Sequence, residues 1–189
     1  MRPKVPRLRA IPPEEWSDEA KDALGPVGGP GAAFPALNIF RTLANYPKLA
    51  KRWMVFANHV LGKNSLPARE REILILRIGW LCRAEYEWAQ HVVIGKREKL
   101  SDDEIRRIGE GPDAPGWSAL DRALLRATDE LHGDACISDA TWAELAKHLN
   151  EQQLMDVVFT VGNYNLVSMA LNTFGVQLDP GLAGFPKGR

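Results

Sequence analysis

The sequence predicts an all-α protein, and three features of its 189 residues support that class. Helix caps and periodic apolar residues recur along the chain, whereas no segment shows the sustained apolar and polar alternation of a strand. The composition is that of a globular protein, with 45% hydrophobic and 25% charged residues. The length fits one domain with a substantial core. We therefore expect a single domain of about seven helices over residues 1–189.

The predicted elements follow one another along the chain. Prolines interrupt residues 1–12, which we expect to form an extended N-terminal arm. The predicted helices cover approximately residues 13–24, 46–61, 67–96, 101–109, 118–133, 138–149 and 151–174. Residues 25–35 are rich in Gly and Pro and should form a loop after the first helix. Residues 176–189 are predicted to be a C-terminal tail on the surface.

Several helix boundaries have specific signals. Pro47 suits a first helical turn, where the missing N–H has no partner within the helix. Ser101 and Glu104 have the spacing of a capping box, and Ser118 and Ser138 are further candidate N-caps. The region 67–96 is apolar on more than one side, which predicts deep burial. The sequence thus indicates several surface helices around one buried helical region.

Charge and composition exclude several classes of protein. Lys and Arg together number 24, as do Asp and Glu, so no basic field is present to attract nucleic acid. No run reaches the roughly 18 to 20 consecutive apolar residues that span a bilayer, and the N-terminus has no secretory apolar region. We therefore expect a cytoplasmic protein that binds a small-molecule substrate, with neither a nucleic-acid nor a membrane partner.

The cysteines and histidines do not form a metal-binding pattern. Two cysteines, Cys82 and Cys136, cannot build a disulfide framework or a structural zinc site. The other histidines lack a recurring ligand spacing, and these are His59, His132 and His148. We therefore expect no metal site.

An acid and an imidazole lie four residues apart in the predicted helix 67–96. Glu87 and His91 would share one helix face, where the carboxylate can orient the imidazole and tune its basicity. Such pairs are also common on solvated helix faces, but here the neighbouring residues are bulky and largely apolar. Glu72 precedes the apolar run Ile73–Leu76 and is either a helix-start acid favoured by the helix dipole or an acid that faces inward.

Several motifs resemble those of the carboxymuconolactone decarboxylase family, which includes the alkylhydroperoxidase D proteins. The most specific is Tyr-Glu-Trp-Ala-Gln-His at residues 86–91. Others are Arg-Glu-Ile-Leu-Ile-Leu at 71–76, Leu-Ser-Asp-Asp-Glu-Ile at 100–105, Asp-Glu-Leu-His at 129–132, Gln-Leu-Met-Asp-Val-Val at 153–158 and Asn-Thr-Phe-Gly-Val at 172–176. The resemblance covers approximately residues 35–180 and implies an alkylhydroperoxidase D-like helical fold.

The resemblance also implies which chemistry is lost. In the family's peroxidase branch, a glutamate, a Cys-x-x-Cys pair and a histidine form a relay. Counting back from His91, the two thiol positions fall on Ala84 and Glu87, and the glutamate falls on Glu72. A thiol peroxidase needs both an attacking and a resolving thiol, and Cys82 is two residues away from the first position. The chain therefore resembles the decarboxylase-like branch without Cys-x-x-Cys.

That branch implies a cofactor-free decarboxylation of a small carboxylated lactone in aromatic catabolism. His91 is the expected proton donor, Glu87 its orienting partner, and Glu72 a second acid or relay member. An arginine should pair with the lactone carboxylates, and Arg77 and Arg83 are the nearest candidates.

Other polar residues near the motif, or on the last helix, have two possible roles. Tyr86 is expected either to donate a hydrogen bond to a substrate oxygen or to pack in the core. Three asparagines on the apolar last helix need hydrogen-bond partners, in the pocket or across a subunit contact: Asn163, Asn165 and Asn172.

Two other functions compete with decarboxylation. A peroxide-reducing enzyme with peroxiredoxin-type activity would require a reactive Cys82 or Cys136. A non-catalytic oligomeric binding protein would retain the fold without turnover, because fold alone does not dictate function. The resemblance further implies assembly into a homo-oligomer, either a trimer or a hexamer, with pockets near the subunit contacts.

Overall fold

The computed structural model describes residues 3–29 and 36–186. Within these ranges the chain forms nine α-helices, two short 3₁₀ turns (Pro13–Glu15 and Gly25–Val27) and no strand. The helices are α1 (Asp18–Leu24), α2 (Asn38–Leu43), α3 (Pro47–Gly62), α4 (Ala68–Leu81), α5 (Glu85–Arg97), α6 (Asp102–Glu110), α7 (Ala119–Asp134), α8 (Asp139–Leu145) and α9 (Glu151–Phe174). The predicted all-α class is confirmed. Residues 30–35 of the predicted loop lie outside the described residues.

Side-chain caps begin five of these helices. In each case the cap side chain accepts a hydrogen bond from the backbone N–H three residues later, and the capping residues are Ser17, Ser101, Ser118, Ser138 and Asn150. The capping box predicted at Ser101 and Glu104 is confirmed, and Asn150 with Gln153 forms a second one. Each cap satisfies an amide that has no partner within the helix, which is worth about 1 kcal/mol.

The number of helices differs from the seven predicted. Region 67–96 is not one helix but two, because the chain turns at residues 82–84, where Arg83 has φ 50° and the Ala84 N–H donates to the Gly79 carbonyl. No Gly or Pro marks this turn in the sequence, so local signals did not reveal it. Helix α2 was also missed, because its six residues are too few to show a period.

Helix α4 is the centre of the molecule. It packs against α5, α7 and α9, and its residues from Ile73 to Leu76, together with Ile78, are fully buried. The predicted deep burial of this region is therefore confirmed for α4. Two ionisable residues, Glu72 and Arg77, lie in the same buried helix, and such groups require partners when they leave water.

Helix α9 packs one face on this core. It is the one helix among the described residues that is long and apolar enough to cross a bilayer by length and composition, and half of its apolar window is buried inside the protein. The buried face includes Leu154, Val157 and Val161. A one-sided burial of this kind is typical of a core helix, and it leaves the opposite face of α9 to be explained.

The two ends of the chain are anchored to the helices. In the arm, the Arg7 N–H donates to the Phe174 carbonyl at 2.8 Å and the Ile11 N–H donates to the Arg41 carbonyl at 2.9 Å. Gly175 ends α9 with φ 70°, and a Cβ at this position would lie 2.8 Å from the Val5 carbonyl oxygen. A glycine is therefore required here both by the turn and by the close approach of the arm.

Candidate active site

Helices α4 and α5 bring two glutamates onto opposite sides of one imidazole. Glu72 Oε2 on α4 lies 2.6 Å from His91 Nδ1 on α5. Glu87, one turn before His91, places Oε1 3.0 Å from Nε2. All three side chains are nearly or fully buried, with Glu72 at 0% exposure. Of the two interpretations of Glu72, the inward-facing acid is therefore the correct one.

The site continues into a chain of alternating charges. Arg71 Nε donates a hydrogen bond to Glu72 Oε1 at 3.2 Å, so Arg71, Glu72, His91 and Glu87 form the sequence positive, negative, positive, negative when His91 is protonated. An imidazolium donates from both ring nitrogens, which matches a carboxylate at each of them. The four charges balance, and this balance lowers the cost of burying them.

The same geometry keeps His91 protonated. Burial by itself would lower the pKa of His91, but the negative charges of Glu72 and Glu87 and their hydrogen bonds outweigh it and raise the pKa from 6.5 to about 10. At neutral pH, therefore, the imidazole carries a proton on each nitrogen.

Two glycines allow the helices to approach closely enough for these contacts. A Cβ on Gly79 of α4 would lie 3.4 Å from Glu87 Cγ, and one on Gly95 of α5 would lie 3.0 Å from a methyl group of Leu100 and 3.8 Å from Glu72 Cβ. A side chain longer than that of Ala at either position would have to displace the neighbouring side chains. The small residues thus fit the close approach of α4 and α5 on which the contact between Glu72 and His91 depends.

Glu87 and His91 face a cavity of about 180 Å³. Its walls come from α2, α3, α5 and α9 and are mostly apolar; they include Leu37, Ile39, Phe40, Met54, Ile94 and Val167. Among the lining residues that the structure describes, Glu87 and His91 are the charged side chains, and no Arg or Lys contributes. For scale, an engineered apolar cavity of about 150 Å³ holds benzene. The space therefore suits a single small ring with little charge.

Helix α9 contributes two polar residues to this cavity, and Asn58 of α3 and Tyr86 and Gln90 of α5 line it as well. Tyr164 packs edge-on against the imidazole of His91, with 5.0 Å between the ring centroids. Burial and the negative charges of Glu87 and Glu72 raise the pKa of Tyr164 well above its usual value, so it remains a neutral phenol. Asn163 accepts a hydrogen bond from Trp53 Nε1 at 3.1 Å. In the sequence, Tyr164 is recognisable only as part of an apolar helix face, and no local signal connects it with His91.

Tyr86 also lines the cavity, but its hydroxyl proton is already engaged. It donates to Asp179 Oδ2 at 2.5 Å and accepts from the Ile39 N–H at 3.3 Å. Gln90 donates to the same Asp179 oxygen at 2.7 Å, and Asp179 Oδ1 accepts from the Asn38 N–H at 2.9 Å. Burial and the bond to Asp179 raise the pKa of Tyr86. In this structure the Tyr86 hydroxyl is therefore occupied within the protein, and its predicted donation to a substrate would require exchange of the bond to Asp179.

Neither of the arginines proposed to bind carboxylates lies at this cavity. The Arg77 guanidinium makes two hydrogen bonds to Asp129, at 2.6 and 2.9 Å, and two more to the carbonyls of Ile108 and Gly109. This buried group is structural, because its donors are used inside the protein. Arg83 is exposed and lines a separate polar cavity of about 390 Å³ between the end of α9 and the start of α5.

The cysteines also lie outside the cavity. Cys136 is exposed in the loop after α7. Cys82 ends α4, where its Sγ lies 2.9 Å from Asn165 Oδ1 and 3.8 Å from His132 Nδ1. Asn172 donates to the Cys82 carbonyl at 3.0 Å. The three asparagines of α9 thus bond to different groups, and only Asn163 lines the cavity.

Over residues 3–29 and 36–186, no cluster of three or more His, Cys, Asp or Glu side chains could hold a metal ion.

The fold is similar to those of solved alkylhydroperoxidase D-like helical structures. An uncharacterised peroxidase-related protein from Ralstonia eutropha JMP134, described as an alkylhydroperoxidase AhpD core, has a TM-score of 0.76 and 16% identity, and the match covers 94% of each chain. A protein of unknown function from Agrobacterium tumefaciens, a candidate AhpD antioxidant-defence protein, has a TM-score of 0.68 and 20% identity over 72% of this chain and 94% of its own.

A third solved structure is the debrominase Bmp8 in complex with 2,3,4-tribromopyrrole, with a TM-score of 0.66 and 15% identity over 86% of this chain and 82% of its own. A search of curated proteins gives no match. The model of the carboxymuconolactone decarboxylase family matches residues 47–130, which include Glu72, Glu87 and His91. The predicted resemblance is confirmed over this segment: residues 47–130 are similar to the carboxymuconolactone decarboxylase family.

Proposed function

We propose that this protein is an acid–base enzyme that exchanges a proton between the His91–Glu87 pair and a small, weakly polar substrate. The observation that carries the proposal is the largely buried charge chain of Arg71, Glu72, His91 and Glu87, which ends at a mostly apolar cavity. A perturbed ionisable group that faces a mostly apolar pocket with a few convergent polar groups marks a candidate site for acid–base chemistry.

The geometry gives the three central residues different roles. Glu72 is completely buried and orients His91 through Nδ1, so it is a positioning residue. Glu87 and His91 line the cavity and can reach a bound molecule. A carboxylate at Glu87 can take a proton from a carbon acid, and the adjacent imidazolium then balances the negative charge left on the substrate. The reverse step returns the proton to the same or a neighbouring carbon.

Decarboxylation of a small carboxylated lactone is the specific reaction that we favour within this class. A carboxylate held in an apolar cavity is less stabilised than in water, and loss of carbon dioxide spreads its charge over the remaining ring. His91 would then donate a proton to the carbon that lost carbon dioxide, and water would reprotonate the imidazole afterwards. Because the described lining contains no Arg or Lys, the favoured substrate carries one carboxylate on a single ring.

Solvent exchange tests this proposal across a panel of candidate substrates. Unsaturated five- and six-membered lactones, with and without one carboxylate, are incubated with the protein in D₂O. Deuterium uptake is followed by mass spectrometry, and carbon dioxide release is measured in parallel. We expect Glu87→Gln and His91→Gln each to reduce the rate by about 10² to 10⁴-fold. Glu85→Gln is the matched control, because Glu85 is an exposed acid on the same helix and does not line the cavity.

Two outcomes would favour the competing functions. If His91→Gln and Glu87→Gln leave every measured turnover unchanged, the protein is a binding protein rather than an acid–base enzyme. If instead the activity is peroxide reduction and disappears in a double variant, Cys82→Ser with Cys136→Ser, the chemistry is that of a thiol. The peroxidase-related and antioxidant descriptions of the neighbours support this second candidate, but both sulfur atoms lie away from the cavity.

A further inference from the structure

Helix α9 presents a continuous exposed stripe on the face opposite to the core. Its members recur every three or four residues, as one face of a helix requires, and they are Glu151, Met155, Val158, Gly162, Leu166, Met169 and Thr173, with Phe159 beside them. Met155 and Met169 are each 59% exposed, and Leu166 is 55% exposed. Glu151 and Asp156 are the only charged residues of the helix, so no charge interrupts the stripe from Val157 to Phe174.

We propose that this stripe is the contact surface for a second copy of this chain, with the two α9 helices antiparallel across a two-fold axis at Gly162. A two-fold contact brings one surface against itself, so it must be self-complementary. About Gly162 the stripe is chemically symmetric. Met155 would lie opposite Met169 of the partner helix, Val158 opposite Leu166, and the polar ends at Glu151 and Thr173 opposite each other.

Gly162 suits the position on the axis. A Cβ built on it would meet no atom within 4 Å, so packing inside this chain does not explain the glycine. In the middle of a helix, Gly costs about 1 kcal/mol relative to Ala. At a helix crossing, however, a missing side chain lets two backbones approach closely. The glycine therefore has a use in the proposed contact that it lacks in the isolated chain.

The charge distribution selects the antiparallel orientation. Glu151 and Asp156 both lie near the N-terminal end of α9. In a parallel pair the like charges would adjoin, whereas in an antiparallel pair the two Glu151 residues lie about 33 Å apart along the axis and the two Asp156 residues about 18 Å apart, at a rise of 1.5 Å per residue. The helix dipoles also oppose one another favourably when the helices are antiparallel.

Exposed apolar side chains of a second helix adjoin the stripe. The patch extends from α9 onto α3, where Phe56 packs edge-on against Phe159, with ring centroids 6.0 Å apart. Val55 on the same helix is 74% exposed. A two-fold contact over this patch would therefore involve α3 as well as α9.

Oligomer mass and one charged variant provide the first test. We expect light scattering of the native protein at micromolar concentration to give an even multiple of 21.0 kDa, because a trimer has no two-fold axis. Leu166→Glu should halve the number of chains or more, weakening the contact at least about 100-fold, since a buried unpaired charge costs several kcal/mol. Val93→Glu is the matched control, because Val93 is 38% exposed on α5, outside the stripe. A native monomer or trimer would contradict the proposal, as would an assembly that Leu166→Glu leaves intact.

Cysteine cross-linking tests the orientation independently of stability. In a background of Cys82→Ser with Cys136→Ser, Gly162→Cys should form a disulfide between chains on mild oxidation, because the two-fold axis brings these Cα atoms within the roughly 7 Å limit. Met155→Cys alone should not cross-link, but a mixture of Met155→Cys and Met169→Cys chains should. Cross-linking of Met155→Cys with itself would indicate a parallel contact and overturn the proposal. Monomeric protein that sediments with phosphatidylcholine–phosphatidylglycerol vesicles would instead assign the stripe to a membrane.

Discussion

Replacing Glu72 with Gln tests directly whether carboxylates hold a proton on His91. The substitution retains the shape of the side chain but removes the charge that lies 2.6 Å from Nδ1. At an effective dielectric constant of about 20, two unit charges about 4 Å apart interact by about 4 kcal/mol, which corresponds to roughly 3 pKa units. From a pKa of about 10 in the native protein, we therefore expect the pKa of His91 to fall by about 2 to 3 units in Glu72→Gln.

Nuclear magnetic resonance of ring-labelled histidine measures this pKa. The resonance of His91 is assigned by its absence from His91→Gln, and its titration is followed from pH 5 to pH 11. Glu70→Gln is the control, because Glu70 is a neighbouring acid on α4 that lies 3.9 Å from Arg69 and makes no contact with His91. A native pKa near 6.5, or equal values in Glu72→Gln and the native protein, would refute the electrostatic reasoning.

The same shift has a consequence for stability. A group whose pKa is raised on folding stabilises the folded state fully below its unfolded pKa of about 6.5, and the contribution is lost as the pH rises through the folded value of about 10. The unfolding free energy of the native protein should therefore fall relative to that of Glu72→Gln between pH 6 and pH 11. With a pKa difference of 2 to 3 units, the change in relative unfolding free energy is roughly 3–4 kcal/mol. Urea titrations across this range measure it, and a pH-independent difference would contradict the linkage.

Three further substitutions test contacts outside the relay. Arg77→Met should lower the unfolding free energy by about 3 kcal/mol in urea denaturation, because it leaves Asp129 and two carbonyls without their donor; no loss would mean that the pair is not structural. Ser101→Ala removes the cap of α6 and should cost about 1 kcal/mol, or about 2–4 °C in melting temperature, with an unchanged melting curve as the contrary result. Asp179→Asn should weaken the link between the tail and α2, visible as faster amide exchange in residues 36–43, whereas unchanged exchange would show that the carboxylate is dispensable.

Features that depend on residues close together in the sequence were predicted best. Caps at Ser101, Ser118 and Ser138 were recognised from local spacing and are confirmed, because a cap involves residues only three positions apart. The pairing of Glu87 with His91 is local in the same sense. The burial of Ile73–Leu76 followed from an apolar run too wide for a surface helix.

Contacts between distant parts of the chain could not be predicted in the same way. Asp179 lies 93 residues from Tyr86 in the sequence, yet it accepts the hydrogen bond that the tyrosine hydroxyl donates. Arg77 is one of the arginines expected to bind substrate. No local pattern indicates that its guanidinium pairs instead with Asp129, 52 residues away. Such pairings are decided by how helices pack. A single sequence shows that a buried arginine needs a partner, but not which residue provides it.

The turn at Arg83 brings Glu72 and His91 together, and without it the site could not form. Glu72 and His91 are 19 residues apart, which in one continuous helix corresponds to about 28 Å along the axis at a rise of 1.5 Å per residue. The single helix predicted over residues 67–96 was therefore incompatible with a relay between Glu72 and His91. The resemblance required the relay, and only a reversal of the chain between the two residues could provide it. The structure makes that reversal at residues 82–84 with Arg83 in a left-handed conformation, which costs roughly 1–2 kcal/mol for a residue with a side chain. The same reversal packs α4 against α5 and brings Glu72 and His91 within hydrogen-bond distance, so the left-handed residue at the turn and the short Glu72–His91 distance belong to one arrangement.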